Sequence, residues 1–308
     1  MSLQALYDVP APAKLNLFLH IVGRRADGYH LLQSPFVLID WADQLHFERR
    51  DDGCITRHDL GPALPADDLC LRAARALQAA SGTALGAHIS IHKHVPWGAG
   101  MGGGSSDAAS TLLALNRLWG LHWSRDRLAG LGLQLGADVP FFVGGLNALV
   151  EGIGERLTPV QLPPARYAVL KPAAAIATRE IFDHPGLKRD TETVIVMGSL
   201  NEVQGPSHWA PGLEGSGSGC ESGFGRAFGR NDLQIPAQQM CPEVAQAARW
   251  LEARFGNSRM TGSGSAVFAR VGTEVPPDQA FPQHGLPTAW VGRMCRSLTE
   301  HPLRAWAD

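Results

Sequence analysis

The chain has 308 residues, 44% of them hydrophobic, which is enough to bury a large core and predicts two domains. Its formal net charge of −2 provides no basic field for nucleic acid and no polybasic anchor for a membrane, so a small molecule is the expected partner. The five cysteines are scattered and form no Cys-x-x-Cys pair, which predicts free thiols. The sequence shows neither an apolar leader nor an apolar run of membrane-spanning length, so we expect a cytoplasmic protein.

The first predicted element is a strand over 11–19. Leucines recur on one face at every second position, and the other face carries Lys14, Asn16 and Phe18. The alternation alone leaves two interpretations open for Lys14 and Asn16, a solvated strand face or a functional site.

A segment with five glycines lies between a predicted strand over 88–95 and a predicted helix. Apolar residues at helical spacing indicate the helix, and Ser105 or Ser106 can cap its first turn. Without Cβ atoms the glycines can take positive φ and bring backbone N–H groups close to an anion, so we expect nucleotide phosphates to bind here. The segment consists of Pro96, Trp97, Gly98, Ala99, Gly100, Met101, Gly102, Gly103, Gly104, Ser105 and Ser106.

The spacing and the flanks of this segment argue against three other interpretations of it. A P-loop requires a lysine after the last glycine, and none follows here. Gly98, Gly100 and Gly103 match the dinucleotide pattern Gly-x-Gly-x-x-Gly, but 112–123 contains no acidic residue to hold a ribose. A flexible linker is disfavoured because linkers are not normally held between a strand and a helix.

A further helix is predicted from a cap at Ser124 to a stop at Gly136. Asp138 follows on a tight turn, and Val139 is expected to be extended because it precedes a proline. A turn aspartate that bonds its own backbone is the common alternative to a functional carboxylate.

Four motifs, in this order, resemble the superfamily of galactokinase, homoserine kinase, mevalonate kinase and phosphomevalonate kinase. They are the lysine strand, the loop Pro-x-x-x-Gly-x-Gly-Gly-Gly-Ser-Ser, the turn Gly-Ala-Asp-Val-Pro and the loop Thr-Gly-Ser-Gly-Ser-Ala at 261–266. Within the superfamily, 12–17 (Pro-Ala-Lys-Leu-Asn-Leu) followed by 25–30 (Arg-Ala-Asp-Gly-Tyr-His) resembles the branch that phosphorylates a cytidine-diphosphate polyol in non-mevalonate isoprenoid synthesis. The resemblance covers about 10–268 and is weakest over 198–229.

The resemblance implies an α+β fold with an ATP-binding domain over 1–162, a substrate-binding domain over 163–308 and the active site between them. A segment near 199–229, rich in Gly, Ser and Pro, is interpreted as an insertion. We expect a monomer or a weak homodimer.

The resemblance also implies transfer of a phosphoryl group from ATP to an alcohol. Asp138 would accept the hydroxyl proton, and Lys14 beside it would keep that carboxylate ionised and stabilise the developing charge. The loop residues Gly262, Ser263 and Gly264 would close on the phosphates.

On the acceptor side the resemblance implies an aromatic clamp around cytosine. Tyr29 would stack on the base, His30 would hydrogen-bond to it, and Phe182 would form the opposite wall. Without the resemblance, Tyr29 and Phe182 are equally well explained by ordinary packing. The remaining acceptor contacts would be Asn16, Lys93 and Thr178.

Magnesium is expected as the partner of ATP, held mainly by phosphates and water, and no protein ligand is assigned to it. His88, His92 and His94 lie on one face of a predicted strand and have the spacing to chelate zinc. Solvated histidines on a strand face are the commoner case, so we assign no metal site to them.

Three rival functions stay open at this point. A sister kinase acting on homoserine or a mevalonate derivative would have no use for the clamp. A dinucleotide-dependent oxidoreductase would bind a nicotinamide cofactor, against which the missing ribose acid argues. A non-catalytic sensor would bind nucleotide without turnover, and the presence of both Lys14 and Asp138 argues against it.

Overall fold

The computed structural model describes residues 3–193, 229–272, 281 and 286–307 of the chain. The strands are β1 (Ala5–Asn16), β2 (His20–Arg24), β3 (His30–Arg50), β4 (Ile55–Asp59), β5 (Gly86–His92), β6 (Ala148–Gly152), β7 (Arg156–Pro159), β8 (Arg166–Lys171), β9 (Arg259–Met260), β10 (Val267–Val271) and β11 (Val291–Arg296). The helices are α1 (Leu69–Ser81), α2 (Gly103–Leu118), α3 (Arg125–Leu133), α4 (Val139–Gly144), α5 (Thr178–Asp183), α6 (Gln234–Met240) and α7 (Pro242–Phe255), followed by a 3-10 turn (Arg304–Trp306).

The first sheet is built around β3, a strand of 21 residues. It pairs antiparallel with β1, β2, β5 and β6, while β4 adds to β5 in parallel and β7 adds to β6. Leucines and alanines of α1 and α2 pack with the apolar residues of β3 and β5 in one buried cluster. Burial of this apolar surface is the main driving force that holds the two helices against the sheet.

The second sheet has the order β11-β8-β10-β9, with the pairs of neighbouring strands antiparallel. Helices α6 and α7 pack on it through Ala237, Val244, Ala247 and Leu251, which are fully buried. The two sheets with their helices confirm the predicted α+β fold.

The two sheets with their helices are joined by a shared buried cluster and by the chain that follows β11. A buried cluster joins Phe18 near the end of β1 to Tyr167 of β8 and Phe268 of β10. After β11 the chain returns to the first part, where Ser297 bridges to Ile39 and Glu300 to Leu146. The division at 162 falls between β7 and β8 and stays a prediction, and 199–228 of the predicted insertion lie outside the described residues.

The predicted strand over 11–19 ends at Asn16, and the one over 88–95 ends at His92. Lys14 and Asn16 are 3% and 1% exposed, so a solvated strand face is the wrong interpretation of β1. Both faces of β1 are covered, one by α2 and the other by the second part of the molecule.

The cysteines and the helices bear on two expectations from composition. Cys54, Cys70, Cys241 and Cys295 are free thiols, as predicted. Across the described ranges no helix combines the length and the apolar character needed to cross a membrane.

Candidate active site

The glycine-rich segment forms a tight loop between β5 and α2. Gly98, Gly100 and Gly102 have φ of 62°, 71° and 71°, in the left-handed region that favours glycine. A Cβ on Gly102 would lie 2.9 Å from the ring of Phe142. The loop thus ends on a left-handed glycine directly before α2, whose first N–H groups have no partner within the helix, the arrangement that binds anions at helix N-termini.

The start of α2 differs from the sequence prediction. The cap position is Gly102, which has no side chain to cap the helix, and neither Ser105 nor Ser106 occupies it. Ser106 donates its hydroxyl hydrogen bond to the carbonyl of Pro12, 2.7 Å away, and is fully buried. The prediction failed because glycine at the cap leaves the first amides free for a ligand, while the serine hydroxyl fastens α2 to β1.

The late loop at 261–266 packs on the glycine loop through the backbone. The N–H of Ser265 donates to the carbonyl of Gly98 at 3.1 Å, and the N–H of Ala266 donates to that of Ala99 at 3.2 Å. A Cβ on Gly100 would be 2.3 Å from the carbonyl oxygen of Thr261. The two glycine-rich loops therefore form one surface, as the predicted closing role of Gly262, Ser263 and Gly264 requires.

Lys14 and Asp138 meet beside these loops. Lys14 Nζ lies 3.6 Å from Asp138 Oδ2, and the Lys14 N–H donates to the carbonyl of Met101 at 3.0 Å. Burial lowers the pKa of Lys14, and the negative charge of Asp138 acts in the opposite direction. Because the Asp138 side chain is 31% exposed while that of Lys14 is 4% exposed, the carboxylate faces the open side of the pair.

Asn16 and Phe36 contact the Lys14 ammonium from behind, and two further side chains hold Asn16. Its ammonium donates to Asn16 Oδ1 at 2.5 Å and lies 4.4 Å from the centre of the Phe36 ring. Asn16 in turn donates its amide to Ser34 Oγ at 2.8 Å, and its N–H donates to Thr261 Oγ1 at 3.0 Å. Asn16 thus connects the lysine to the late loop.

Asp138 lies at the beginning of α4, close to α2. Val139 is helical, so its predicted extended conformation is wrong. Proline is tolerated in the first helical turn, where its missing N–H has no partner to lose, and Pro140 occupies that turn. A Cβ on Gly136 would be 3.8 Å from Ser105 Oγ, which puts the turn that carries Asp138 at the start of α2.

Four of the predicted acceptor residues lie at or beside the two ends of α5. His30 and Phe182 stack with ring centroids 5.1 Å apart, while Tyr29 is 62% exposed beside them. Thr178, at the other end of α5, hydrogen-bonds through its hydroxyl to Ser263 of the late loop at 2.8 Å. Helix α5 therefore runs from the late loop to the aromatic pair.

Arg189 is a residue of this region that the sequence did not indicate. Its Nε donates to His30 Nε2 at 3.0 Å, and its Nη2 donates to the carbonyls of Phe182 and His184 at 2.9 and 3.1 Å. Because a guanidinium only donates, His30 Nε2 must be unprotonated and the proton of the neutral ring lies on Nδ1. Burial and the neighbouring charges of Arg189 and Arg24 lower the pKa of His30, which favours the same neutral form.

Lys93 lies behind the glycine loop. Its ammonium forms ion pairs with two buried carboxylates, those of Asp43 and Asp107. Its predicted contact with the acceptor stays a prediction. Asp43 and Asp107 were not predicted, although Asp107 directly follows the two serines of the loop motif.

In the described ranges no group of three or more His, Cys, Asp and Glu side chains is arranged to hold a metal ion. A magnesium ion that arrives with ATP would be held mainly by the phosphates and by water.

Comparisons with known proteins agree with this geometry. The family model for the N-terminal domain of GHMP kinases matches residues 68–145, and that for their C-terminal domain matches 215–283. The 4-diphosphocytidyl-2-C-methyl-D-erythritol kinase of Methylibium petroleiphilum is 63% identical over 309 residues, which cover 100% of both chains. The protein of that name from Polaromonas naphthalenivorans is 55% identical, covering 99% of this chain and 97% of its own.

Solved structures give the same result. A crystal structure of 4-(cytidine 5'-diphospho)-2C-methyl-D-erythritol kinase matches with a TM-score of 0.70 and 32% identity, over 93% of this chain and 98% of its own. Homoserine kinase from Cytophaga hutchinsonii matches in fold alone, with a TM-score of 0.65 and 15% identity over 97% of this chain and 96% of its own. The chain therefore belongs to the GHMP kinases and, within them, to the family of 4-diphosphocytidyl-2-C-methyl-D-erythritol kinases.

Proposed function

We propose that this chain transfers the γ-phosphoryl group of ATP to the 2-hydroxyl of 4-diphosphocytidyl-2-C-methyl-D-erythritol, giving the 2-phosphate and ADP in isoprenoid precursor synthesis. The single observation that carries this proposal is the Lys14–Asp138 pair, with 3.6 Å between Nζ and Oδ2, at the junction of the two glycine-rich loops. Family membership supplies the acceptor.

The reaction needs an acceptor hydroxyl in line with the γ-phosphate, a place for its proton and neutralisation of charge. Asp138 accepts the hydroxyl proton as the new oxygen–phosphorus bond forms and the bond to the ADP oxygen breaks. Lys14 stays protonated beside it and stabilises the negative charge that develops on the acceptor oxygen and the phosphoryl oxygens. Asn16 and Phe36 hold the ammonium in that position.

The donor is held by backbone rather than by side chains. The glycines allow N–H groups of the loop and of the first turn of α2 to approach the phosphates closely, and the dipole of α2 favours their negative charge. Magnesium bound to ATP would supply further charge neutralisation at the phosphates.

The acceptor's cytidine end would lie on the aromatic pair, one helix away from the phosphates. Phe182 and Tyr29 offer faces on which a base can stack, and His30 offers a single N–H donor at Nδ1. Cytosine presents an acceptor at N3, whereas uracil carries a hydrogen there, so a fixed donor favours cytosine.

All of these residues come from one chain, and we propose that a monomer or a weak homodimer is the active form. Sedimentation equilibrium at micromolar concentration, with activity measured over the same range, tests this point.

The deciding experiment is ADP release from Mg-ATP with the cytidyl acceptor, run beside homoserine, galactose and mevalonate. We expect turnover with the cytidyl acceptor alone. Turnover with another alcohol would contradict the acceptor assignment, and nucleotide binding without any turnover would favour a sensor.

A further inference from the structure

Asp43 is a fully buried carboxylate of β3 that takes no part in the mechanism above. Its Oδ1 accepts hydrogen bonds from the N–H groups of His94 and Val95, at 2.6 and 2.7 Å. These two residues are the last before the glycine loop begins at Pro96. Its other oxygen, Oδ2, is ion-paired with Lys93.

Lys93 extends this connection to the far end of the loop. Its Nζ lies 2.5 Å from Oδ2 of Asp107, which is in the second turn of α2 and is also buried. The loop itself closes tightly over the cluster, since a Cβ on Gly103 would be 3.2 Å from Val95 Cγ1 and 3.6 Å from Asp43 Oδ2. One carboxylate therefore connects the residues on both sides of the loop.

We propose that Asp43 is a positioning residue for ATP, holding the two ends of the glycine-rich loop, through Lys93 and Asp107, in the conformation that receives the phosphates. The inference rests on the proposed function in that the donor is ATP. Asp43 itself lies beneath the loop and acts only through its backbone partners and Lys93.

The physical chemistry of the cluster explains why it can hold a loop rigidly. Buried charges that are paired and hydrogen-bonded have well-defined geometry, because leaving any of them without its partner is costly. Two carboxylates share one ammonium here, and the excess negative charge is removed by a proton. Burial, together with the nearby Asp43, raises the pKa of Asp107 to about 8.

This proton makes the cluster sensitive to alkaline pH. With Asp107 protonated the three groups sum to zero charge, and once it loses its proton at alkaline pH they carry one uncompensated negative charge behind the loop that binds phosphates. The other titratable groups that act on the two carboxylates are Cys70 of α1, close to Asp107, and His94, close to Asp43. The pKa of Cys70 is raised by burial and that of His94 is lowered by it, so both groups are neutral at pH 7 to 9.

The test is binding of a non-hydrolysable ATP analogue to the full chain, measured by titration calorimetry. For Asp43→Asn, which keeps the size of the side chain and removes its charge, we expect the analogue Kd to rise about tenfold or more. The acceptor KM should change less than twofold. Asp51→Asn, in the exposed turn after β3, is the matched control and should leave the analogue Kd unchanged.

A second variant keeps the inference falsifiable if Asp43→Asn does not fold. In wild type we expect analogue binding to weaken between pH 7 and pH 9, and Asp107→Asn should abolish this weakening. The difference between the pH profiles of the two proteins cancels the titration of the analogue's own phosphates. A folded Asp43→Asn with a Kd within twofold of wild type, or identical pH profiles for wild type and Asp107→Asn, would overturn the inference. Binding of the ATP analogue needs no acceptor. A wild-type protein that binds the analogue but never turns over would therefore contradict the proposed function without contradicting the proposed role of Asp43.

Discussion

The two ends of the candidate site are built differently. The phosphoryl end, formed by Lys14, Asp138 and the two glycine-rich loops, is closely packed. Lys14 and Asn16 are 3% and 1% exposed, and backbone contacts between the loops leave no space for an added methyl group, while the Asp138 carboxylate faces the opening. The base end is open, with Tyr29 62% exposed and the His30 ring held from one side by Arg189. In the proposed reaction, the step that depends on distances of a few tenths of an ångström would take place where the lysine and the loops are closely packed. Recognition of the base would take place where a large ligand can enter.

This comparison gives different expectations for mutations at the two ends. Changes at the phosphoryl end should reduce kcat, because they remove interactions made in the transition state. Changes at the base end should raise the acceptor KM at nearly constant kcat, because they remove binding energy that is present throughout the reaction.

The largest effect is expected for Asp138→Asn, which removes the proton acceptor and keeps its shape. We expect kcat to fall by about 10² to 10⁴, the usual contribution of a general base, with analogue binding within a factor of about three of wild type. Single-turnover assays and calorimetry measure the two quantities. Asp126→Asn, in the first turn of α3, is the matched control, and nearly full turnover of Asp138→Asn would show that Asp138 is not the base.

Gly100→Ala tests whether the two loops act as one surface. Gly100 has φ of 71°, and its Cβ would be 2.3 Å from the carbonyl oxygen of Thr261, so the loops must separate. We expect kcat/KM for ATP to fall by a factor of about 10 to 100, on the basis of about 1–3 kcal/mol for strain at such a backbone position. Gly130→Ala in α3, where a Cβ meets no atom within 4 Å, should behave as wild type. An active Gly100→Ala would mean that the loops need not touch.

At the open end, Phe182→Ala removes one wall of the clamp. Stacking on a base contributes about 1–3 kcal/mol, so the KM for the cytidyl acceptor should rise about tenfold or more while kcat changes little. Tyr29→Ala should act in the same direction. Tyr7→Ala, at an exposed tyrosine on β1, is the control for loss of surface aromatic area. A fall in kcat without a change in KM would contradict the division of the site into two ends.

The sequence predicted the glycine loop and the helix after it well, because both depend on local patterns. Glycines at alternate positions and a strand running into a helix are features of contiguous residues, and the structure contains them at the expected places. The family resemblance connected Lys14 to Asp138, which no spacing could do across more than a hundred residues. The prediction failed at the cap of α2, where propensity favours serine but the left-handed Gly102 occupies the position.

The parts that sequence reasoning missed are the long-range ones. Asp43 lies in a strand whose apolar neighbours indicate only core, and its role depends on Lys93 and Asp107, which approach from other elements. Arg189 lies in an irregular segment, and its contact with His30 spans 159 residues. Such pairs come from the packing of elements, and no pattern within either segment specifies them.

The smallest and most specific prediction concerns Arg189. Its Nε donates to His30 Nε2, so it keeps His30 neutral with the proton on Nδ1 and lowers the pKa of that ring. A histidine with a lowered pKa stays neutral at pH values where an ordinary histidine, with a pKa of about 6.5, is already partly charged. The acceptor KM of the wild type should therefore rise only at acid pH. In Arg189→Gln the rise should begin at a higher pH, and discrimination against the uridine analogue should fall a few-fold. Arg179→Gln, an exposed arginine of α5, controls for the loss of positive charge. Identical pH profiles for wild type and Arg189→Gln would mean that stacking alone determines acceptor binding at the base end. The two ends would then differ in hydrogen bonding as well as in burial, because only the phosphoryl end would hold its ligand through fixed hydrogen bonds.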